Sequence, residues 1–449
     1  MFSQIKKHGS KIFEIRRKIP PLAYIFLSFA AVILIGSVLL VLPIATKTRE
    51  SLPYIDALFT SISAVCVTGL STINCGATLS LFGKIVLGVL IQIGGLGFVT
   101  IFSFLVLMIL GKLSFSSFTL IKESLNQTSF KNLAKLLRFI IIFTFSSELI
   151  GALLCLISFS KYYPIDEAIG ISVFHAISSF NNAGFDILGG ESLAMFKDDV
   201  LLNLVTCALI MVGGIGFLVI RDIFTKRRFK NFSVQTKIVL ITNTVLLVFS
   251  FIIIECVQHE SVSPLEVFFY SVNLRTAGFS TFNLKANLKN SSLIFSLIFM
   301  LIGASPLSTG GGIKTTTLYV IIMSIISFAR GKRTIVFKRE ITPLIKIKAF
   351  MLCNFAIFMI TVVVFAIFIF EGDRFDFIDI LYEATSAFGT VGLSLGITSS
   401  LGTWSKLLLG FLMFFGRLGP VSILNIWNPH LNRTYKEEVS YLPTNIMIG

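Results

Sequence analysis

Four short stretches of this chain share one spacing of residue types, and that spacing suits the coordination of a cation by backbone carbonyls. They read FTSISAVCVTGLS from Phe59, FHAISSFNNAGFD from Phe174, FFYSVNLRTAGFS from Phe268 and YEATSAFGTVGLS from Tyr382. An aromatic residue stands ten positions before the glycine in each, and Leu or Phe follows it. A serine stands six before it in three copies (Ser63, Ser178 and Ser386), with Val272 in the other. The glycines Gly69, Gly184, Gly278 and Gly392 are 115, 94 and 114 residues apart. Glycine serves where the backbone must take a conformation that a Cβ disfavours, or where strands crowd an axis. A ring of such carbonyls can replace an ion's hydration shell, and Thr390-Val391-Gly392 repeats the first residues of a potassium-channel filter sequence. Two further features lie near these stretches in the sequence. One is a polar, glycine-rich segment from Ser305 to Thr317, SPLSTGGGIKTTT; the other is Arg417, inside an apolar run.

The elements that must position these groups follow from composition. Of the 449 residues, 55% are hydrophobic and only 14% charged, with a mean hydropathy of +0.88. A soluble chain carries about a quarter charged residues, so the sequence predicts an all-α polytopic membrane protein and excludes disordered, collagenous and disulfide-rich secreted classes. The net charge of +15 reports orientation in such a chain, not nucleic-acid binding. A crossing needs about 20 apolar residues. Eight runs qualify, at about 22–44, 81–110, 137–159, 199–221, 236–256, 291–329, 348–370 and 404–427. The first lacks a small-residue cleavage pattern and is expected to be retained. Segments 1–20, 111–138, 221–237 and 330–348 and the C-terminal tail hold 26 of the 38 Lys and Arg. The positive-inside rule therefore places both termini in the cytoplasm of a cell-membrane protein. The four glycine stretches then fall in the outward connections, too short to cross. The expected organisation is a basic tail 1–21 and repeats 22–110, 137–224, 236–330 and 348–428 with a tail 429–449. Each repeat is span, re-entrant segment, span, arranged about a pseudo-fourfold pore.

These loops, this architecture and the segment from Gly303 to Thr317 resemble the Trk/Ktr/HKT superfamily of potassium transporters, and within it the KtrB-type membrane subunits. The resemblance runs from about residue 22 to the C-terminus. It implies potassium uptake through one pore per subunit, a homodimer, and control by a KtrA-like cytosolic nucleotide-binding ring. It carries the filter over to Val67, Thr68, Gly69, Asn182, Ala183, Gly184, Thr276, Ala277, Gly278, Thr390, Val391 and Gly392, which would hold K+ through backbone carbonyls. Serine at the first filter glycine goes with sodium preference in plant members; Gly69 here favours potassium. The resemblance also makes the broken sixth span an intramembrane gate, with Ser305, Thr309, Gly310, Gly311, Gly312, Lys314 and Arg417 as its residues. Leu307 departs from the small residue that related subunits commonly carry there.

The remaining features are read on physical grounds. GxxxxGK[ST] is absent, because Ile313 precedes Lys314, so Ser305–Thr317 is no phosphate loop. An arginine at bilayer depth faces a cavity or a partner; Arg417 would oppose a cation below the filter, and Lys314 would act similarly. Glu148 is a candidate intramembrane partner that no sequence pattern pairs. Arg275 is expected to brace the third loop rather than touch the ion. The sequences Gly94-Gly95-Leu96-Gly97 and Gly213-Gly214-Ile215-Gly216 read as close helix packing. Asp56, Glu266 and Asp379 either draw cations to the mouth or complement helix dipoles. The six cysteines form no paired motif and are expected to be small apolar residues; no resident metal or cofactor is expected beyond the transported K+. A secondary carrier for a small organic solute would show twofold repeats instead, and no HExxH or GxSxG pattern supports an enzyme. Channel-like conduction and uptake coupled to Na+, a symport, both remain open. The basic cytoplasmic stretches fit either a partner ring or anionic lipid. Gly69→Ser is expected to shift flux from potassium towards sodium; unchanged K+ and Na+ fluxes in Gly69→Ser and Gly392→Ser proteoliposomes would contradict the assignment.

Overall fold

The computed structural model describes residues 21–97, 133–189, 192–258 and 261–419, with residues 100, 101, 103, 104 and 107 between the first two stretches. The tails 1–20 and 429–449, the basic segment 111–132 and the end of the last run lie outside the described residues. The chain is helical, with one two-residue hairpin pairing Ile335–Val336 (β1) with Arg339–Glu340 (β2). Its main helices are α1 (Pro21–Val41), α2 (Tyr54–Cys66), α3 (Leu81–Leu96), α4 (Leu133–Phe159), α5 (Ile165–Phe180), α6 (Val200–Ile215) and α7 (Phe217–Lys226). They continue as α8 (Val234–Gln258), α9 (Pro264–Asn273), α10 (Asn290–Leu301), α11 (Thr315–Ala329), α12 (Pro343–Glu371), α13 (Phe377–Gly389) and α14 (Thr403–Leu418).

Four of these helices, α1, α4, α8 and α12, are long and apolar enough to cross a membrane among the described residues. Large apolar side chains point away from the protein along them, including Ile35 on α1, Leu149 on α4 and Phe365 on α12. In water such a surface would be a liability; in hydrocarbon it is the solvated face. Each long helix is followed by a short one (α2, α5, α9 and α13) that ends three to five residues before one of the four loop glycines.

The helices after the glycine stretches depart from the sequence reading, which expected a break only in the sixth run. The run 199–221 is two helices, α6 and α7, bent by 93°. The hinge is Gly216 at φ 99°, ψ 135°. Helix α3 ends at Gly97 with φ 80°, ψ 132°, and α14 at Gly419 with φ 79°, ψ 136°. All three glycines hold nearly one conformation, in a region of φ that a Cβ opposes. The third copy breaks as expected, between α10 and α11. The third glycine of each Gly-Gly-x-Gly sequence is thus a helix terminator, whereas the sequence reading took the whole motif as packing. The signal lay in the sequence. Gly94-Gly95-Leu96-Gly97, Gly213-Gly214-Ile215-Gly216, Gly303-Ala304-Ser305-Pro306 and Gly416-Arg417-Leu418-Gly419 align, 24 to 29 residues after the preceding loop glycine.

Packing is close. The helices α1 and α2 approach where Gly36 faces Ser61, whose hydroxyl donates to the Ile33 carbonyl at 2.7 Å. Across the molecule Lys406 on α14 pairs with Asp56 on α2 at 2.9 Å, both mostly buried. Removing one partner of a buried pair strands the other charge, at about 3 kcal/mol or more. Lys406→Met is therefore expected to lower the thermal midpoint in detergent markedly, and the Asp56→Leu/Lys406→Met double variant to recover most of it. Equal losses in single and double variants would show that the charge is not what matters.

Candidate functional site

The four short helices bring their C-terminal ends together, and the loops that follow repeat one backbone pattern. The residue two before each glycine has a positive φ, 56° at Val67, 57° at Asn182, 72° at Thr276 and 50° at Thr390. The glycines themselves lie at 96°, 68°, 79° and 90°. They touch in cyclic order. A Cβ built on Gly69 would lie 2.6 Å from the Ala183 carbonyl oxygen, and one on Gly184 2.6 Å from that of Ala277. One on Gly278 would lie 2.7 Å from the Val391 oxygen, and one on Gly392 2.1 Å from that of Thr68. The ring of four loops therefore closes on itself, with room for no side chain at its glycines.

Hydrogen bonds hold the loop N–H groups against the short helices. The Thr68, Ala183 and Val391 amides each donate at 2.8 Å to the carbonyls of Ser63, Ser178 and Ser386. The Gly69 amide donates to the Ser63 hydroxyl at 3.1 Å, and the Gly392 amide to that of Ser386 at 3.1 Å. This is the chemical reason for a serine six positions before the glycine. In the third loop, where Val272 replaces it, Asn273 Oδ1 accepts instead from the Phe279 amide at 3.0 Å. The second loop keeps Ser178, but its hydroxyl has no partner. Among the described residues, the carbonyls of Val67–Gly69, Asn182–Gly184, Thr276–Gly278 and Thr390–Gly392 accept no hydrogen bond. Twelve free acceptors at the negative ends of four helices favour a cation. Buried carbonyls without partners are rare.

The first glycine of each inner motif lets its helix reach these ends. A Cβ on Gly94, Gly213 or Gly416 would lie 2.2, 1.9 and 1.8 Å from the carbonyl oxygens of Val65, Phe180 and Phe388 respectively. In each case that carbonyl sits four residues before the loop glycine.

The broken segment between α10 and α11 lies against the loops. Gly303 donates to the Ile313 carbonyl at 2.9 Å, which closes the segment into a loop whose ends pair in parallel. The Thr309 hydroxyl contacts the Asn182 side-chain amide at 3.0 Å, and the Gly311 amide donates to the Thr390 hydroxyl at 2.9 Å. A Cβ on Gly310 would lie 2.1 Å from Thr276 Oγ1. The segment thus abuts the residue two before the glycine in three of the four loops. Arg417 donates to the carbonyls of Thr309 and Gly94 and to that of Gly95 at 3.0 Å. Lys314 donates to the Gly310 carbonyl at 2.8 Å. Ser305 lies behind, held by Asn243 Nδ2 at 2.9 Å, and Arg275 in turn bonds Asn243. Arg275 therefore braces the broken segment through Asn243. Leu307 sits at φ 58°, a conformation in which glycine is at ease and leucine is not.

Three acids singled out in the sequence are engaged elsewhere. Asp56 pairs with Lys406 and Asp379 with Lys285 at 2.6 Å. Glu266 caps its own helix, accepting from the Ser263 amide at 3.0 Å. Among the described residues Glu148 meets no cation; it accepts from Asn181 Nδ2 at 2.9 Å, immediately behind the second loop. Cys66, Cys75, Cys155 and Cys207 are buried free thiols. The described residues hold no cluster of His, Cys, Asp or Glu able to bind a metal.

A helical membrane protein with a ring of unpaired loop carbonyls and a polar segment pressed beneath it is built for cation passage. The chain belongs to the TrkH family of cation transport proteins, whose description matches residues 24–428, and it is KtrB-like within the Trk/Ktr superfamily. It is 39% identical to the Ktr system potassium uptake protein B of Bacillus subtilis (strain 168), over 92% of this chain and 94% of that protein. It is 34% identical to the potassium/sodium uptake protein NtpJ of Enterococcus hirae, over 97% and 99%. It is also 34% identical to the Ktr system potassium uptake protein B of Vibrio alginolyticus, over 89% of each. The fold is similar to the crystal structure of the potassium transporter TrkH from Vibrio parahaemolyticus, with a TM-score of 0.71 and 18% identity over 92% of this chain and 85% of that one.

An N–H left unpaired in a buried site costs about 1–3 kcal/mol. Ser63→Ala and Ser386→Ala are therefore expected to lose roughly that much stability, read as a lowered thermal midpoint in detergent. Ser178→Ala, which removes no bond, should be near neutral; equal effects at all three serines would contradict the assignment.

Proposed function

We propose that the chain takes up potassium across the cell membrane through a single pore whose selectivity filter is the ring of Val67–Gly69, Asn182–Gly184, Thr276–Gly278 and Thr390–Gly392. The observation that carries this reading is the closed cyclic contact of the four glycines with the twelve carbonyls free of hydrogen bonds. The relatives named as potassium uptake proteins support the choice of ion. In this reading the chain is four repeats about a pseudo-fourfold axis with eight crossings, both termini cytoplasmic. The subunit works as a homodimer with a cytosolic nucleotide-binding ring on its basic face. Gly69 in place of serine supports potassium over sodium at the filter. A coupling role for Na+ is compatible with the relative named for both ions, and K+ uptake with and without sodium distinguishes coupled uptake from conduction. An organic solute finds no support: the ring has no space for one.

The segment Ser305–Lys314 is the gate in this reading. It blocks the pathway sterically beneath the filter, where Thr309, Gly310 and Gly311 meet Asn182, Thr276 and Thr390. Arg417 is better described as a latch than as a bare charge, because its guanidinium is spent on the carbonyls of Thr309, Gly94 and Gly95. A hydrogen bond from a charged donor contributes about 1.5–3 kcal/mol, and about 1.4 kcal/mol is tenfold in an equilibrium. Deleting Thr309–Gly312 is expected to raise K+ flux strongly. Arg417→Ala should raise it by a smaller factor, roughly tenfold, since the contacts of Gly311 with Thr390 and of Thr309 with Asn182 still hold the segment. Both variants should retain potassium selectivity. A folded deletion variant that conducts no faster than the parent would sink the gate.

A further inference from the structure

Outside the glycine ring lies an open cavity of about 390 Å³, lined by all four glycines and by the residues just after them. Two positions beyond each glycine stand Ser71, Asp186, Ser280 and Ser394, and all four line this cavity. They share one local geometry, in which the side-chain oxygen accepts from the amide two residues on. The distances are 3.3 Å at Ile73, 3.2 Å at Leu188, 3.4 Å at Phe282 and 2.8 Å at Gly396. Three loops therefore use a hydroxyl where the second uses a carboxylate. Asp186 is the one charged side chain among the described lining residues. It forms no ion pair among them, whereas Lys161, Lys285 and Lys406 pair with Asp199, Asp379 and Asp56. Glu383 accepts from Ser394 and Thr398 but lies behind the wall, fully buried. The acids that the sequence offered as cation attractors are thus neutralised or capping, and Asp186 is the one negative charge among the described residues that line the mouth.

We propose that Asp186 forms an outer cation site, which concentrates hydrated monovalent cations in the mouth before they enter the ring of carbonyls. The inference rests on the potassium-uptake reading above. A turn needs only an oxygen at this position, as the three serines demonstrate, so the carboxylate adds a charge that the fold does not require. A cavity lined by one sign of charge raises the local concentration of counter-ions, and that effect is screened within about 10 Å at 0.1 M salt. Asp186 acts on delivery, so it should govern the apparent KM and not the maximal rate.

The test is K+ uptake into proteoliposomes containing the full chain, at low and at high ionic strength. Asp186→Asn keeps the oxygen that caps Leu188 and removes only the charge; Asp186→Ser installs the residue of the other loops. Both should raise KM about threefold or more at roughly 0.01 M salt and by little at roughly 0.5 M, with the maximal rate unchanged. Ser280→Asp added to Asp186→Asn should return KM towards the parent value, because the charge is back on the same ring. An unchanged KM at low salt would overturn the proposal. So would a raised KM that responds neither to salt nor to Ser280→Asp, which would make Asp186 purely structural. A parent protein that carries no potassium would instead overturn the functional reading itself.

Discussion

Everything in this molecule is arranged around a set of backbone carbonyls that nothing in the protein satisfies. A buried carbonyl without a partner is costly, and at membrane depth irregular backbone survives only where it is packed in protein or lines a wet cavity. The four loops meet both conditions. Their N–H groups are tied back to the short helices, through Ser63 and Ser386 side chains and through three 2.8 Å amide bonds. Among the described residues their carbonyls accept no hydrogen bond. Because each glycine sits against the carbonyl just before the glycine of the next loop in the ring, the four strands fix one another's position, and none can shift without moving the next.

That constraint reaches outward into the helices. The carbonyl ends of the short helices must be reached closely from behind, which is why Gly94, Gly213 and Gly416 sit where any Cβ would collide with Val65, Phe180 or Phe388. Three residues later the inner helices must turn away, and Gly97, Gly216 and Gly419 provide one shared conformation for it. The third repeat uses the same place differently. There Gly303 faces the Gly311 carbonyl of its own chain segment, so the break becomes a polar turn lodged under the ring instead of a simple bend.

Charge is distributed according to the same logic. Cationic side chains lie below the ring, where Arg417 and Lys314 donate to the carbonyls of the broken segment. The position of Arg417 is that of Gly95 and Gly214 in the aligned motifs, so the fourth inner helix exchanges a packing glycine for a side chain that bonds the carbonyls of Thr309, Gly94 and Gly95. On the outer side Asp56, Asp199 and Asp379 are matched by lysines, and Asp186 is the carboxylate among the described residues that line the mouth.

The sequence by itself determined the class, the four loops and the broken segment. Membrane residence follows from composition, and loops that must present backbone rather than side chains leave their glycines as a periodic trace. The serine at minus six was visible too, though its bond to the glycine amide was not. What the sequence missed was the hinge in the inner helices, because a glycine that packs and a glycine that terminates look alike until φ is known; Gly95 and Gly97 differ only in that. Partners were equally hidden. Asp56 and Lys406 are 350 residues apart, and Glu148 finds Asn181 across two helices. Such pairings belong to tertiary structure, since charge and hydrogen bonding act over a few ångströms of space and carry no mark in the spacing of the chain. The same holds for Asp186: only the fold reveals that it, among the described acids near the loops, lines the outer cavity.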